Sequence, residues 1–255
     1  IIIKTDEEIE LIREGGKILA SVLDEVRKSV RPGISTSELD TLACTLIKEA
    51  GGVPAFLNYQ PEGASYPYPA GLCVSVNDEV VHGIPRPDRI LKEGDIVSID
   101  LGVKYKNLFT DHAITVPVGE ISKEKKKLLS VTRESLYAGI EAARVGNTVG
   151  DIGHTIEQVV RPHKFGIIDI LSGHGVGKYI HEDPYVPNYG KPGQGAVLKH
   201  GMVIAIEPML NLGTKEVVIE EDDYTYSTAD GQASAHFEHT VIITNDGPII
   251  ATEMK

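Results

Sequence analysis

The sequence predicts an α/β (α+β) protein in which helices pack on the outer face of antiparallel β-sheet, arranged as two similar halves. Three observations carry that expectation. Two helix pairs share matched start signals, the stretch from Asp95 to Val118 alternates like a hairpin, and the first pair's junction at Gly33 recurs at Gly146, an offset of 113 residues.

Thr5-Asp6-Glu7-Glu8 has the form of a capping box, and Ile9, Ile12, Leu19, Val22, Leu23, Val26 and Val30 follow at helical spacing until Arg31-Pro32-Gly33. A second box, Ser35-Thr36-Ser37-Glu38, opens a helix through Leu39, Leu42, Ala43, Leu46 and Ile47, closed by Gly51-Gly52. Further on, a helical stretch from about Ser122 to Ala143 runs into Arg144-Val145-Gly146-Asn147-Thr148-Val149-Gly150-Asp151, which overlays Arg31 to Glu38. Two capping boxes can look alike by chance. Duplication explains in addition why each helix pair precedes a β-rich stretch with two acids in apolar strands. The expected organisation is one domain over residues 1–255, with halves of about 1–120 and 121–255 facing each other across a cleft.

Composition narrows the function. With 255 residues the chain is long enough for a core that needs no disulfide staples, and the formal charge of −12 would repel a phosphate backbone. No direct nucleic-acid site is expected. Cys44 and Cys73 lack CxxC spacing, which suits a reducing, cytoplasmic setting. The opening Ile1-Ile2-Ile3-Lys4 is too short for a signal peptide or membrane span, and no apolar run of eighteen occurs, so no membrane is expected.

Between Asp95 and Val118, Val97, Ile99, Leu101 and Val103 alternate with Ser98, Asp100 and Gly102, and Ile114, Val116 and Val118 alternate with Asp111, Ala113 and Thr115. A turn centred between Tyr105 and Lys106 sets Asp100 opposite Asp111. Two carboxylates about 4 Å apart repel by about 4 kcal/mol at an effective dielectric near 20. Facing acids on adjacent strands therefore mean either a different register, with one acid at the rim, or a cation between them. Two more acids sit in apolar strands, Glu207 at the end of Gly201 to Pro208 and Glu238 within Phe237 to Thr244. Each is expensive to bury unless paired or coordinated. His174 lies in Gly173-His174-Gly175-Val176-Gly177, where a loop histidine and a ligand are both tenable. Tyr179 stands where a phosphate-binding loop needs Ser or Thr, and no His-Glu-x-x-His occurs, which excludes nucleotide binding and a single-zinc helix protease. Four carboxylates and one imidazole suit two divalent ions with bridging carboxylates: four negative groups balance two dications, leaving a bridging hydroxide as the nucleophile.

At these residues the chain resembles the type I, bacterial form of methionine aminopeptidase. The matching segments are Val76 to Pro85, Asp95 to Asp100, Gly173 to Gly177, Ile206-Glu207-Pro208-Met209 and Phe237-Glu238-His239-Thr240, in that order along nearly the whole chain. The resemblance implies the pseudo-twofold pita-bread fold and removal of N-terminal methionine before a small second residue. It implies Asp100, Asp111, His174, Glu207 and Glu238 as ligands of two divalent ions (Co, Mn, Fe or Zn), with Glu207 also passing the proton. His82 and His181 are implied to position the scissile amide and steady the charge on its oxygen. Tyr68, Cys73, Ile180, Tyr224 and Phe237 are placed around the methionine side chain, although Cys73 reads equally well as packing. For His181 the residues alone suggest a loop histidine paired with Glu182 and Asp183. Ser65, Ile180, Tyr224 and His112 depart from the commonest pattern, at the pocket rather than at the ligands. The partners implied are N-termini of nascent polypeptides near the ribosome, met by a monomer.

Two competing expectations are a proline-specific aminopeptidase or dipeptidase of the same fold and a non-catalytic binding protein of that fold. The first generally adds an N-terminal domain, whereas here the helices begin by Thr5; the second should have lost a ligand, and all five types are present.

Overall fold

The computed structural model describes residues 1–61 and 63–253. The four predicted helices form where their caps place them: α1 (Asp6–Ser29), α2 (Thr36–Glu49), α3 (Lys123–Ala142) and α4 (Val149–Val160). Thr5, Ser35 and Thr148 each accept from the backbone three residues on while that residue's carboxylate accepts from the cap, satisfying two otherwise orphaned donors. Along α1, Leu19, Leu23 and Val26 are fully buried and join the main core with Leu39 and Ile47 of α2, Leu136 of α3 and Ile152 of α4.

Every strand pairing is antiparallel. In the first half Ile96–Tyr105 pairs along its whole length with Leu108–Pro117, and on its other edge with Leu72–Val76 and Val53–Pro54. In the second half five strands run in the spatial order Gly247–Ile250, His239–Thr244, Val203–Ile206, Gly173–Gly175 and Glu182–Val186. The helix-pair junctions repeat bond for bond. Gly33 N–H donates to Leu91 O at 2.8 Å and Leu91 N–H to Ile34 O at 2.9 Å; Gly146 N–H donates to Leu198 O at 3.0 Å and Leu198 N–H to Asn147 O at 2.8 Å. Short bridges Ser35 to Ile90 and Thr148 to Val197 complete the correspondence. This is the pseudo-twofold, pita-bread arrangement.

The register of the first hairpin corrects the sequence expectation. Asp100 pairs with Ala113 and Asp111 with Gly102, because the turn is centred between Lys106 and Asn107, not between Tyr105 and Lys106. Both turn residues have positive φ, 47° and 66°, the requirement of a two-residue hairpin turn whose twist matches its strands, and asparagine tolerates it well. The pairing moves by an even step, so no side chain changes face. Asp100 and Asp111 become diagonal neighbours instead of opposed ones.

Glu207 follows the last residue of its strand, as expected, whereas Glu238 shifts from the expected strand interior to the position just before a strand. The last rung between their strands is Ile206 with His239, and Glu238 N–H then leaves for Ala113 O of the first hairpin at 2.8 Å. At the same place Thr240 Oγ1 accepts from Asp111 N–H and donates to Asp111 O, both at 2.8 Å. One buried hydroxyl thus fastens the strand bearing Asp111 to the strand that follows Glu238. Thr240→Val keeps the shape and leaves a buried donor and acceptor unpaired, so urea denaturation should show a loss of about 1–3 kcal/mol.

Candidate metal centre

Asp100, Asp111, His174, Glu207 and Glu238 come from five different strands or strand ends and line one cavity of about 280 Å³. Ligand atoms of Asp111, His174 and Glu238 lie within 4.8 Å of one another. Glu207 Oε1 is 3.4 Å from His174 Nε2. His174 reaches this point because its strand is threaded tightly: a Cβ on Gly173 would meet Ala205 O at 2.3 Å, and one on Gly175 would meet Asp183 O at 2.3 Å. Its Nδ1–H donates to Gly175 O at 2.9 Å, which leaves the Nε2 lone pair facing the carboxylates.

The electrostatics are those of a cation site. Burial pushes Asp111 and Glu207 each up to about 8, and holds His174 down at about 4, neutral and able to ligate. Asp100 and Glu238 are driven well above the carboxylate range, first by burial and then by neighbouring carboxylates. Asp100 Oδ1 and Glu238 Oε1 are buried with no hydrogen-bond partner. Four acids and one imidazole, with two buried carboxylate oxygens left unpartnered and no lysine or arginine lining the cavity among the described residues, fit oxygen-loving divalent ions.

The remaining predicted residues divide. His82, Tyr68, Cys73, His181 and Tyr224 line the same cavity. His82 sits at φ 60°, a left-handed backbone that histidine adopts at a cost and that turns its ring toward the cleft. His181 does not pair with its adjacent acids; its Nδ1 meets Tyr59 OH at 2.9 Å. Glu182 instead forms a buried ion pair with Lys4 at 2.6 Å, and its Oε1 accepts from Tyr179 N–H at 3.0 Å, which fixes the loop carrying His181.

Phe237 and Ile180 do not line the cavity. Strand alternation sends the neighbours of Glu238 to the opposite face, so Phe237 packs in the main core beside a second cavity with His112 and Tyr137. Ile180 is buried in an apolar cluster with Phe56, Tyr68, Cys73 and Tyr224, backing the wall rather than forming its surface. Among the departures from the family pattern, Ser65 Oγ donates to Asp223 at 2.7 Å, and Tyr224 OH donates to Tyr66 O, tying two loops together at the rim.

Sequence reasoning missed Phe56, Tyr59, Met209 and His236. The first three line the cavity from loops and a strand whose approach no spacing announces. For His236 a signal existed: it lies two residues before Glu238 and therefore shares its face.

With this geometry in view, the chain matches metallopeptidase family M24 over residues 10–245. The chain belongs to metallopeptidase family M24. Among M24 relatives it is 46% identical over 252 residues to a methionine aminopeptidase of Clostridium acetobutylicum, covering 99% of this chain and 98% of that one. It is 46% identical to methionine aminopeptidase 1 of Bacillus subtilis over 254 residues, the full length of both. A solved methionine aminopeptidase of Thermotoga maritima superposes with TM-score 0.94 at 45% identity over the whole of both chains.

An M24 site with these protonation levels couples metal to protons. Below about pH 8, Asp111 and Glu207 hold protons in protein stripped of metal, whereas ligating carboxylates are ionised. Metal loading at pH 7 should therefore release protons, and affinity should rise as pH is raised through about 8. Calorimetry in buffers of different ionisation enthalpy measures this directly; a binding heat independent of the buffer would contradict it.

Proposed function

We propose that this chain is an aminopeptidase that removes the N-terminal methionine of polypeptides whose second residue is small, with two divalent ions held by Asp100, Asp111, His174, Glu207 and Glu238. The observation that carries this reading is that one cavity is lined both by the carboxylates and by an apolar cluster. Phe56, Tyr68, Cys73, Tyr224 and Met209 line it together with the acids, Cys73 directly across from Asp100 on the neighbouring strand. That surface suits a flexible, polarizable thioether, which gains from aromatic and sulfur contacts. Full-length likeness to methionine aminopeptidases supports the same substrate.

When bound, the divalent ions supply an activated water and polarise the first peptide carbonyl. The protein's own groups do the rest. The substrate's free α-amino group would take an open position at the metal centre these carboxylates hold, so only a chain terminus fits. His82 and His181 flank the scissile amide and donate to its oxygen as charge develops there. Tyr59 holds the His181 ring through Nδ1. Glu207 takes a proton at its carboxylate and passes it to the leaving amine. The cavity of about 280 Å³ must hold the metal centre as well as the first side chain, which restricts the second residue. The reading carries with it a single catalytic domain of two halves, at about 1–120 and 121–255, working as a cytoplasmic monomer on nascent chains near the ribosome. No helix among the described residues is long and apolar enough to cross a membrane.

Protein loaded with Mn, Fe or Co should release methionine from a peptide beginning Met-Ala or Met-Gly and not from one beginning Met-Lys, followed by chromatography. Folded protein that releases none with any of these metals would reject the assignment. Asp111→Ala should abolish tight binding of both ions and reduce turnover by at least about a hundredfold; a retained stoichiometry of two would mean that Asp111 does not bridge.

A further inference from the structure

Glu207 presents its two oxygens to two different imidazoles. Oε1 is 3.4 Å from His174 Nε2, and Oε2 is 3.5 Å from His236 Nε2. His236 is 2% exposed, and neither ring nitrogen has a hydrogen-bond partner among the described residues. Such a ring is costly to bury: an apolar side chain would fill the space without leaving two unpaired polar atoms. Its backbone is pinned. His236 N–H donates to Thr115 Oγ1 and His236 O accepts from the same hydroxyl, both at 2.8 Å, while Ser98 Oγ lies 2.8 Å from that hydroxyl. The strand Ser234–His236 also pairs residue 236 with Met209, two positions beyond Glu207. Glu207 is held from its other side by Asn188 Nδ2, which donates to its carbonyl at 3.0 Å.

From this arrangement we infer that His236 is a positioning residue for Glu207: its Nε2–H donates to Oε2 and so turns Oε1 toward His174 and the metal. The inference rests on the metal-centre reading above. A closure of about half an ångström brings the pair into ordinary hydrogen-bond range. A ligating carboxylate otherwise leaves its second oxygen buried and free to rotate; an outer donor fixes which oxygen ligates and in which direction. His236 does this from a strand locked to the first hairpin through Thr115, so the orientation of a second-half ligand is set by the first half.

The test compares wild type, His236→Ala and His236→Gln, each stripped of metal and titrated with Mn(II) by calorimetry, with the absorption bands of the Co(II)-loaded forms as a second readout. His236→Ala should weaken binding about 10- to 100-fold and alter the Co(II) bands. His236→Gln keeps an N–H donor of similar reach and should restore affinity to within about threefold of wild type, with Co(II) bands like those of wild type. Unchanged affinity in His236→Ala would overturn the inference. So would a glutamine variant as weak as alanine, because that result means the imidazole itself ligates. If wild type binds no metal, the metal-centre reading fails instead, and the two failures are distinct. The near-isosteric Gln variant keeps the comparison decisive if the Ala variant folds poorly.

Discussion

Four carboxylates buried within a few ångströms of each other are the constraint around which this molecule is organised. Left to themselves they repel, and burial raises their proton affinity until Asp111 and Glu207 titrate near 8. Such a cluster persists in a folded chain only if the surrounding structure forces it together and a cation repays the cost. The forcing is visible in the backbone. Strand parity turns Asp100 and Asp111 to one face, the second-half pair separates after Ile206 and His239, and Thr240 clamps the two systems at Asp111. The helices supply the packing energy behind these strands but no ligand.

The cavity joins two solvents. Its lining combines carboxylates with an apolar cluster of Phe56, Tyr68, Cys73 and Tyr224. A substrate that uses both must carry a free amino group close to a hydrophobic side chain, and an amino-terminal residue with a long apolar side chain does so. His82 and His181 line the same space, one held by an unusual backbone angle and the other by Tyr59. Specificity and chemistry are therefore set by neighbouring surfaces of one space.

Much of this was legible in the sequence because it depends on period and cap chemistry. Capping boxes located the starts of three helices and the helical pattern from about Ser122 located the fourth, all to within one residue. Alternation placed Asp100 and Asp111 on one face even though the register was misjudged, since an error of two residues preserves parity. What failed was what period cannot encode. The turn at Lys106-Asn107 needed knowledge of positive φ at both positions. Placing Phe237 in the pocket followed family resemblance against the alternation that sends it to the far side of Glu238. Tyr59 and Lys4 act through contacts across 122 and 178 residues, to which no local pattern points.

The Lys4 to Glu182 pair has a mechanical implication. An ammonium from the first few residues is sealed, almost dry, against a carboxylate of the second half, and Lys4 N–H also donates to Gly201 O at 2.8 Å. Separating such partners without replacement is worth about 3–5 kcal/mol. The opening segment is thereby riveted to the loop that carries His181, so the setting of a cavity histidine depends on residues far outside the cavity.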